Sequence, residues 1–148
     1  MRIERARADA KEFLTLYRAR EAYAAVLYPA ESNHLFDVAK MGDAKMNFFG
    51  VWMGGVVVGC GGFWEYADYV EIKSMWVEPH VRGQKIGVQL LGVIEREAMA
   101  KGFTLSRLET GIRQPEALGL YSRSGYIEVG PFGDYRLDPL SVFMEKAL

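Results

Sequence analysis

Apolar and polar residues change period several times along this chain, and each change marks an element. Arg2–Ala6 alternates polar with apolar and predicts a first strand. From Ala10 the spacing lengthens to a helical period, with Phe13, Leu14, Tyr17, Ala24 and Leu27 near one face, until Pro29 ends or bends the helix. Residues 28–34 read as a loop, with Ser32 or Asn33 able to cap a short helix that runs to Ala39. Asn47–Met53 and Val56–Tyr66 read as strands, and Gly54-Gly55 between them is a two-residue hairpin signal. Gly59, Gly61 and Gly62 in the second of these mark a bulge or a close approach. Tyr69–Val77 is a further strand, with Pro79 at its exit.

Gly87–Lys101 has the clearest helical stripe: Val88, Leu91, Ile94 and Ala98, widened by Leu90 and Val93. Lys101 in the last turn and Gly102 after it suit a helix C-terminus. Leu105–Thr110 is strand-like. Pro115 and Glu116 open another helix, which Gly125 stops. Tyr126–Val129 and Ser141–Lys146 close the chain as strands, with a long connection, 131–139, between them. Strands alternating with helices predict an α/β sandwich around a mixed sheet, with residues 69–110 forming a parallel strand-helix-strand crossover.

Composition narrows the function classes without choosing one. The 148 residues suit one domain, half are apolar, and a quarter are charged. A formal net charge of -1 gives no global attraction to nucleic acid. Cys60 is the single cysteine, so no internal disulfide is possible; its setting in Val56-Val57-Val58-Gly59-Cys60 reads as core rather than nucleophile. Met1–Ala10 is charged and lacks an apolar centre, and no apolar run could span a bilayer, so a cytoplasmic protein is expected. No His/Cys/Asp/Glu set has metal-ligand spacing, and no metal is expected.

The chemistry is concentrated around Arg82-Gly83-Gln84-Lys85-Ile86-Gly87, between a strand exit and the start of the best helix. Such a loop turns backbone N–H groups and a helix dipole toward one point, which suits a pyrophosphate, and Arg82 and Lys85 add positive charge there. It also fits a plain connector with solvated charges, and it matches neither the dinucleotide fingerprint nor the P-loop. The segment Val77 to Leu91 resembles the pyrophosphate-loop motif [RQ]-x-x-G-x-[GA] of the GNAT acetyltransferases. The segment Gln114-Pro115-Glu116-Ala117-Leu118-Gly119-Leu120-Tyr121-Ser122-Arg123-Ser124-Gly125-Tyr126 is similar to that family's downstream N-x-x-A-x-x-L-Y-x-x-x-G-[FY] motif. Lys85 stands where the family usually has glycine, and Gln114 where it commonly has asparagine. Residues 109–121, with Phe132-Gly133-Asp134-Tyr135 and Pro139-Leu140-Ser141, are similar to a subgroup of bacterial small-molecule GNAT proteins.

The resemblance implies a three-layer GNAT fold, with a mixed sheet of about six or seven strands and about four helices. It implies acetyl-CoA as co-substrate, held by Met75, Trp76 and Val77 along the strand, by Arg82, Gly83, Gln84, Lys85, Ile86 and Gly87 at the pyrophosphate, and by Gln114. Tyr121 matches the general-acid tyrosine; its other reading is a core aromatic on an amphipathic helix. Strand alternation places Glu71, Lys73, Met75 and Val77 on one face. Glu71 stands where some members carry a general base, or it makes a structural pair with Lys73. Asn33 and His34, with Lys73, Phe132 and Tyr135, fall where the acceptor is bound, or serve as a cap and packed loop aromatics. The expected activity is transfer of acetyl to a primary amine of a small molecule by direct attack in a ternary complex. The alternatives are an acyl-CoA sensor without catalysis and a protein or peptide N-acetyltransferase. A homodimer is common in the family; no nucleic-acid or membrane partner is expected.

Overall fold

The computed structural model of the protein describes residues 1–32 and 40–148. Seven strands form one sheet: Arg2–Ala6 (β1), Met46–Met53 (β2), Val56–Glu65 (β3), Val70–Val77 (β4), Leu105–Gly111 (β5), Ile127–Val129 (β6) and Ser141–Ala147 (β7). Three α-helices accompany them among the described residues: Leu14–Leu27 (α1), Ile86–Ala100 (α2) and Pro115–Arg123 (α3). The short helix expected to run to Ala39 lies outside the described residues. No helix among them is long and apolar enough to cross a membrane.

Strand order is β1-β2-β3-β4-β5-β7-β6. The Gly54-Gly55 hairpin is as its sequence predicts, both glycines having positive φ, 58° and 78°, as a tight turn between twisted strands requires. Neighbouring strands are antiparallel except β4 and β5, which run parallel and pair only through Val70↔Ser106 and Glu71↔Arg107. Beyond that second pair the two strands part, and the sheet opens into a wedge.

Each face of the sheet has its own core. On one, Ile86, Leu90, Leu91, Ile94 and Ala98 of α2 and Tyr121 of α3 pack with Phe49, Phe63, Val70 and Ile72. On the other, Phe13 and Leu16 pack with Phe48, Cys60, Trp64 and Trp76. Two positions expected in these stripes face outward: Leu14 is 45% exposed and Val88 46%. Helix α2 starts at Ile86, and at 100° per residue Val88 falls almost opposite that first buried side chain. Leu16, three residues after Phe13, takes the place expected for Leu14.

The alternation expected along β4 is broken. Cys60 pairs with Trp76 but Gly62 pairs with Lys73, so Ser74 and Met75 together oppose Gly61. This bulge carries Ser74 at φ 59°. Glu71 and Lys73 therefore do not share a face with Met75 and Val77, which pack toward the α2 core. A side chain at Gly61 would stand 2.3 Å from the Met75 sulfur, so glycine is what lets the bulge settle inward.

A second left-handed residue starts α2. Lys85 is its N-cap at φ 61°, ψ 22°, and makes no side-chain capping bond. An L-residue there costs roughly 1–2 kcal/mol relative to right-handed backbone, which accounts physically for glycine at the equivalent place in the motif. Lys85→Ala and Lys85→Gly both remove the charge, but only glycine relieves the backbone. The glycine variant should be the more stable of the two by about 0.5–1 kcal/mol in urea unfolding, after its extra unfolded-state entropy is subtracted. Equal stabilities would refute the strain at this position.

Candidate active site

Two cavities occupy the wedge. The smaller, about 110 Å³, lies between α1 and the parting strands; Glu71 to Trp76 of β4 and Glu109 to Gly111 of β5 form two of its walls. The larger, about 570 Å³, continues to the start of α2. Met75, Trp76, Gln114 and Tyr121 line both, so the two are ends of one channel through the opened sheet.

At the small end the chain concentrates charge. Glu71 is 2% exposed. Its Oε2 accepts a 2.6 Å hydrogen bond from the Tyr135 hydroxyl and lies 2.9 Å from the Lys73 ammonium, which also donates to the Tyr135 oxygen at 3.0 Å. Burial, and then the charge of Glu71, hold the Tyr135 hydroxyl well above its usual pKa, so it stays a donor to the carboxylate. The Glu71–Lys73 pairing that strand spacing allowed is thus present, closed by a residue 64 positions away. Phe132 sits in a ring cluster with Tyr69, Tyr135 and Phe143 rather than on either cavity wall, and so supports the Tyr135 loop. Asn33 and His34 lie outside the described residues.

At the large end the loop before α2 supplies anion chemistry. The first turn of α2 has no side-chain cap, leaving its N–H groups for another acceptor. Gly83, at φ 83°, Lys85, Ile86 and Gly87 line the cavity; Gln84 is exposed and lines neither cavity. Those free donors, the helix dipole and the lysine charge fit a pyrophosphate. The Arg82 guanidinium lies 4.9 Å over the Trp76 ring, donates to the Val77 carbonyl at 3.0 Å and comes within 3.7 Å of Glu116. Glu116 also accepts from the Tyr23 hydroxyl at 2.7 Å, so α1, the loop and α3 meet across the mouth. Trp76 and Val77 line the cavity. Gln114 uses its side-chain oxygen internally, accepting from the Tyr28 hydroxyl and the Gly111 N–H, both at 3.3 Å.

Tyr121, 6% exposed, stands where the two cavities join. Burial raises its pKa far above the ordinary phenol, with the positive charge of Arg20 acting against that rise. Its hydroxyl therefore holds its proton at any physiological pH. Cys60 is wholly buried, its thiol pushed up to about 12 by burial and donating to the Ser74 carbonyl at 3.3 Å; it is a core residue, as its apolar setting predicts. Sequence reasoning missed Ser74, Arg20, Glu109, Tyr23 and Glu116. The helical period placing Arg20 with Tyr17, Tyr23 and Ala24 was a signal for one of them.

Comparison with known proteins agrees with this geometry. The model of the acetyltransferase (GNAT) family matches residues 12–126. An IAA acetyltransferase of Azospirillum brasilense is 45% identical over 130 residues, which span 86% of this chain and 85% of that protein. A solved structure from Klebsiella pneumoniae subsp. pneumoniae, to which acyl-CoA N-acyltransferase activity has been ascribed, superposes with TM-score 0.89 at 33% identity over 99% of this chain and 97% of that one. The PaiA N-acetyltransferase of Thermoplasma acidophilum, solved in complex with coenzyme A, shares the fold at TM-score 0.76 and 21% identity, with both chains fully covered. A matching family model over most of the chain, together with close relatives of nearly equal length, shows that this protein belongs to the GNAT family of acetyltransferases and is an N-acetyltransferase.

Proposed function

We propose that the protein moves the acetyl group of acetyl-CoA to the primary amine of a small molecule, by direct attack with both substrates bound. The observation that carries this reading is the single channel in which a buried, protonated tyrosine stands between an uncapped helix N-terminus and a buried carboxylate. Acetyl-CoA supplies an activated thioester. The start of α2, with Gly83, Lys85 and Gly87, binds its pyrophosphate, and Arg82 closes over the neighbouring groove. The main chain of β4 at Met75–Val77, freed from strand pairing where β5 departs, offers amide groups to the pantetheine arm. The acceptor end, at about 110 Å³, is well below the range for drug-sized ligands, which supports a small acceptor rather than a peptide.

Attack needs a neutral amine, and collapse needs a proton for the leaving thiolate. Glu71 takes the amine proton, directly or through a water. Lys73 and Tyr135 hold its carboxylate in place. Tyr121 gives its proton to the departing sulfur, since a thiol with pKa near 8.5 in solution leaves most easily as it is protonated. Cys60 takes no part.

Tyr121→Phe keeps the ring and loses the proton. It should lower kcat by roughly 100-fold or more while leaving calorimetric acetyl-CoA binding within about twofold; undiminished turnover would remove the acid role. Because burial raises the pKa of Tyr121, its acid form persists as pH climbs. The rate should therefore show no alkaline loss from this group below about pH 10, the ordinary tyrosine value. Glu71→Gln still accepts the Tyr135 hydrogen bond, so the fold should survive. It should depress kcat/KM for the amine by at least roughly tenfold while calorimetric acetyl-CoA binding is kept. A variant with unaltered kcat/KM would leave Glu71 only its structural pairing with Lys73.

A further inference from the structure

Arg20 is a cation whose place nothing in the proposed mechanism uses. It lies on α1 and lines the small cavity but not the large one. The side chain is half-buried, and its positive charge opposes the effect of burial at Tyr17 on α1, Cys60 on β3 and Tyr121 on α3. No ion pair or hydrogen bond engages it among the described residues. The other charged groups on that cavity are Glu71, Lys73 and Glu109. Glu71 and Lys73 are joined to each other. Glu109 lies near enough to raise the pKa of Tyr28, Tyr121 and Tyr135.

A guanidinium drawn partly out of water without a counter-charge is costly, and its planar fork matches two oxygens of a carboxylate or phosphonate. The coenzyme's pyrophosphate does not meet this need, because its donors are at the far end of the channel. We infer that Arg20 is a specificity-determining residue that binds an anionic group on the acceptor. The acceptor is then a zwitterion: a small amine with a carboxylate or phosphonate a few bonds from its nitrogen. Arg20 takes the anion from the α1 side while the ammonium meets the carboxylates of Glu71 and Glu109 across the same cavity. This inference rests on the small-amine reading above and deepens it.

The test uses the full chain, acetyl-CoA and matched acceptors: α-amino acids, their α-amino amides, and aminomethylphosphonate. Coenzyme release gives kcat/KM for each. Wild type should prefer the anionic acceptor over its amide by on the order of 100-fold, the range of a charged hydrogen-bonded contact. The carboxylate and phosphonate arms identify which anion the fork accepts. Arg20→Gln should lose that preference through the anionic acceptor alone, Arg20→Lys should restore part of it, and calorimetric binding of acetyl-CoA should stay within twofold for both. Equal use of acids and amides by wild type would overturn the inference while leaving small-amine acetylation intact. So would a loss in Arg20→Gln that is equal for all acceptors, which would make Arg20 a partner of Tyr121, or weakened acetyl-CoA binding, which would make it a coenzyme contact. If no small amine is acetylated, the small-amine reading fails. Binding of N-acetylglycine with free CoA then decides Arg20 separately: wild type binding and Arg20→Gln not binding supports an anion subsite, and no difference between them removes it.

Discussion

The site depends on the brevity of one strand pairing. Among the described residues β4 and β5 are the only parallel neighbours in the sheet, and they hold together for two residue pairs. Parallel strands joined by a crossover helix normally bury both faces and stay paired along their length. Here the α2 connection leaves β4 at Val77 and returns to β5 at Leu105 near the far end, so the strands start together at Val70 and Ser106 and then separate. β4 is held instead by its other neighbour, β3, through antiparallel pairs from Glu65↔Val70 to Gly59↔Val77. β5 is held by β7 along seven pairs. Two stable halves thus bound a gap whose edges are unpaired backbone, and buried backbone groups without partners are costly. A ligand that runs down the gap answers that cost, so an elongated thioester is a natural occupant.

The bulge at Ser74 adjusts what faces the gap. If β4 alternated without interruption, Glu71, Lys73, Met75 and Val77 would all point one way and the charged pair would share a surface with the apolar run. The extra residue opposite Gly61 turns Met75 and Val77 into the α2 core and leaves Glu71 and Lys73 with the Tyr135 loop. Charge at one end and apolar wall at the other therefore come from a single inserted residue. Ser74 and Lys85, the two non-glycine residues with positive φ among those described, both border the channel. Backbone strain of this kind persists only where the surroundings over-determine it.

Much of this was legible in the sequence for a physical reason: local elements follow local periodicity. All seven strands, α2 and α3 fall within one or two residues of where spacing and turn chemistry place them, while α1 begins at Leu14, after a 3-10 turn at Lys11–Phe13, and not at Ala10; the parallel crossover is where alternation of strand and helix requires it. The glycine loop with Tyr121 was legible as a pair of motifs. What escaped was set by tertiary contact. Ser74 carries no signal for left-handed backbone, because serine lacks the preference for positive φ that marks glycine and asparagine. Tyr135 belongs to Glu71 only once a loop 64 residues away folds onto β4, and no spacing rule reaches so far. Val88 lies outside the buried stripe because it lines the large cavity at the start of α2, and periodicity alone does not distinguish a cavity wall from a core.

Residues on α1 were read least well, and the reason bears on how acceptor choice can change in such a fold. The coenzyme side is built from backbone at a helix start and a strand edge, so its geometry follows from topology. The small cavity is built from side chains on α1, Arg20 and Tyr23 among them, set against charges on β4 and β5. A helix face can exchange one side chain without disturbing its neighbours, provided the Phe13 and Leu16 anchors keep it docked. Tyr121 and the α2 start belong to the core on the other face of the sheet from Phe13 and Leu16, while Tyr23 of α1 lines both cavities and so links the helix to each end of the channel. On the proposed reading the charge on α1 selects among amines, and the parting of β4 and β5 opens the channel in which transfer takes place.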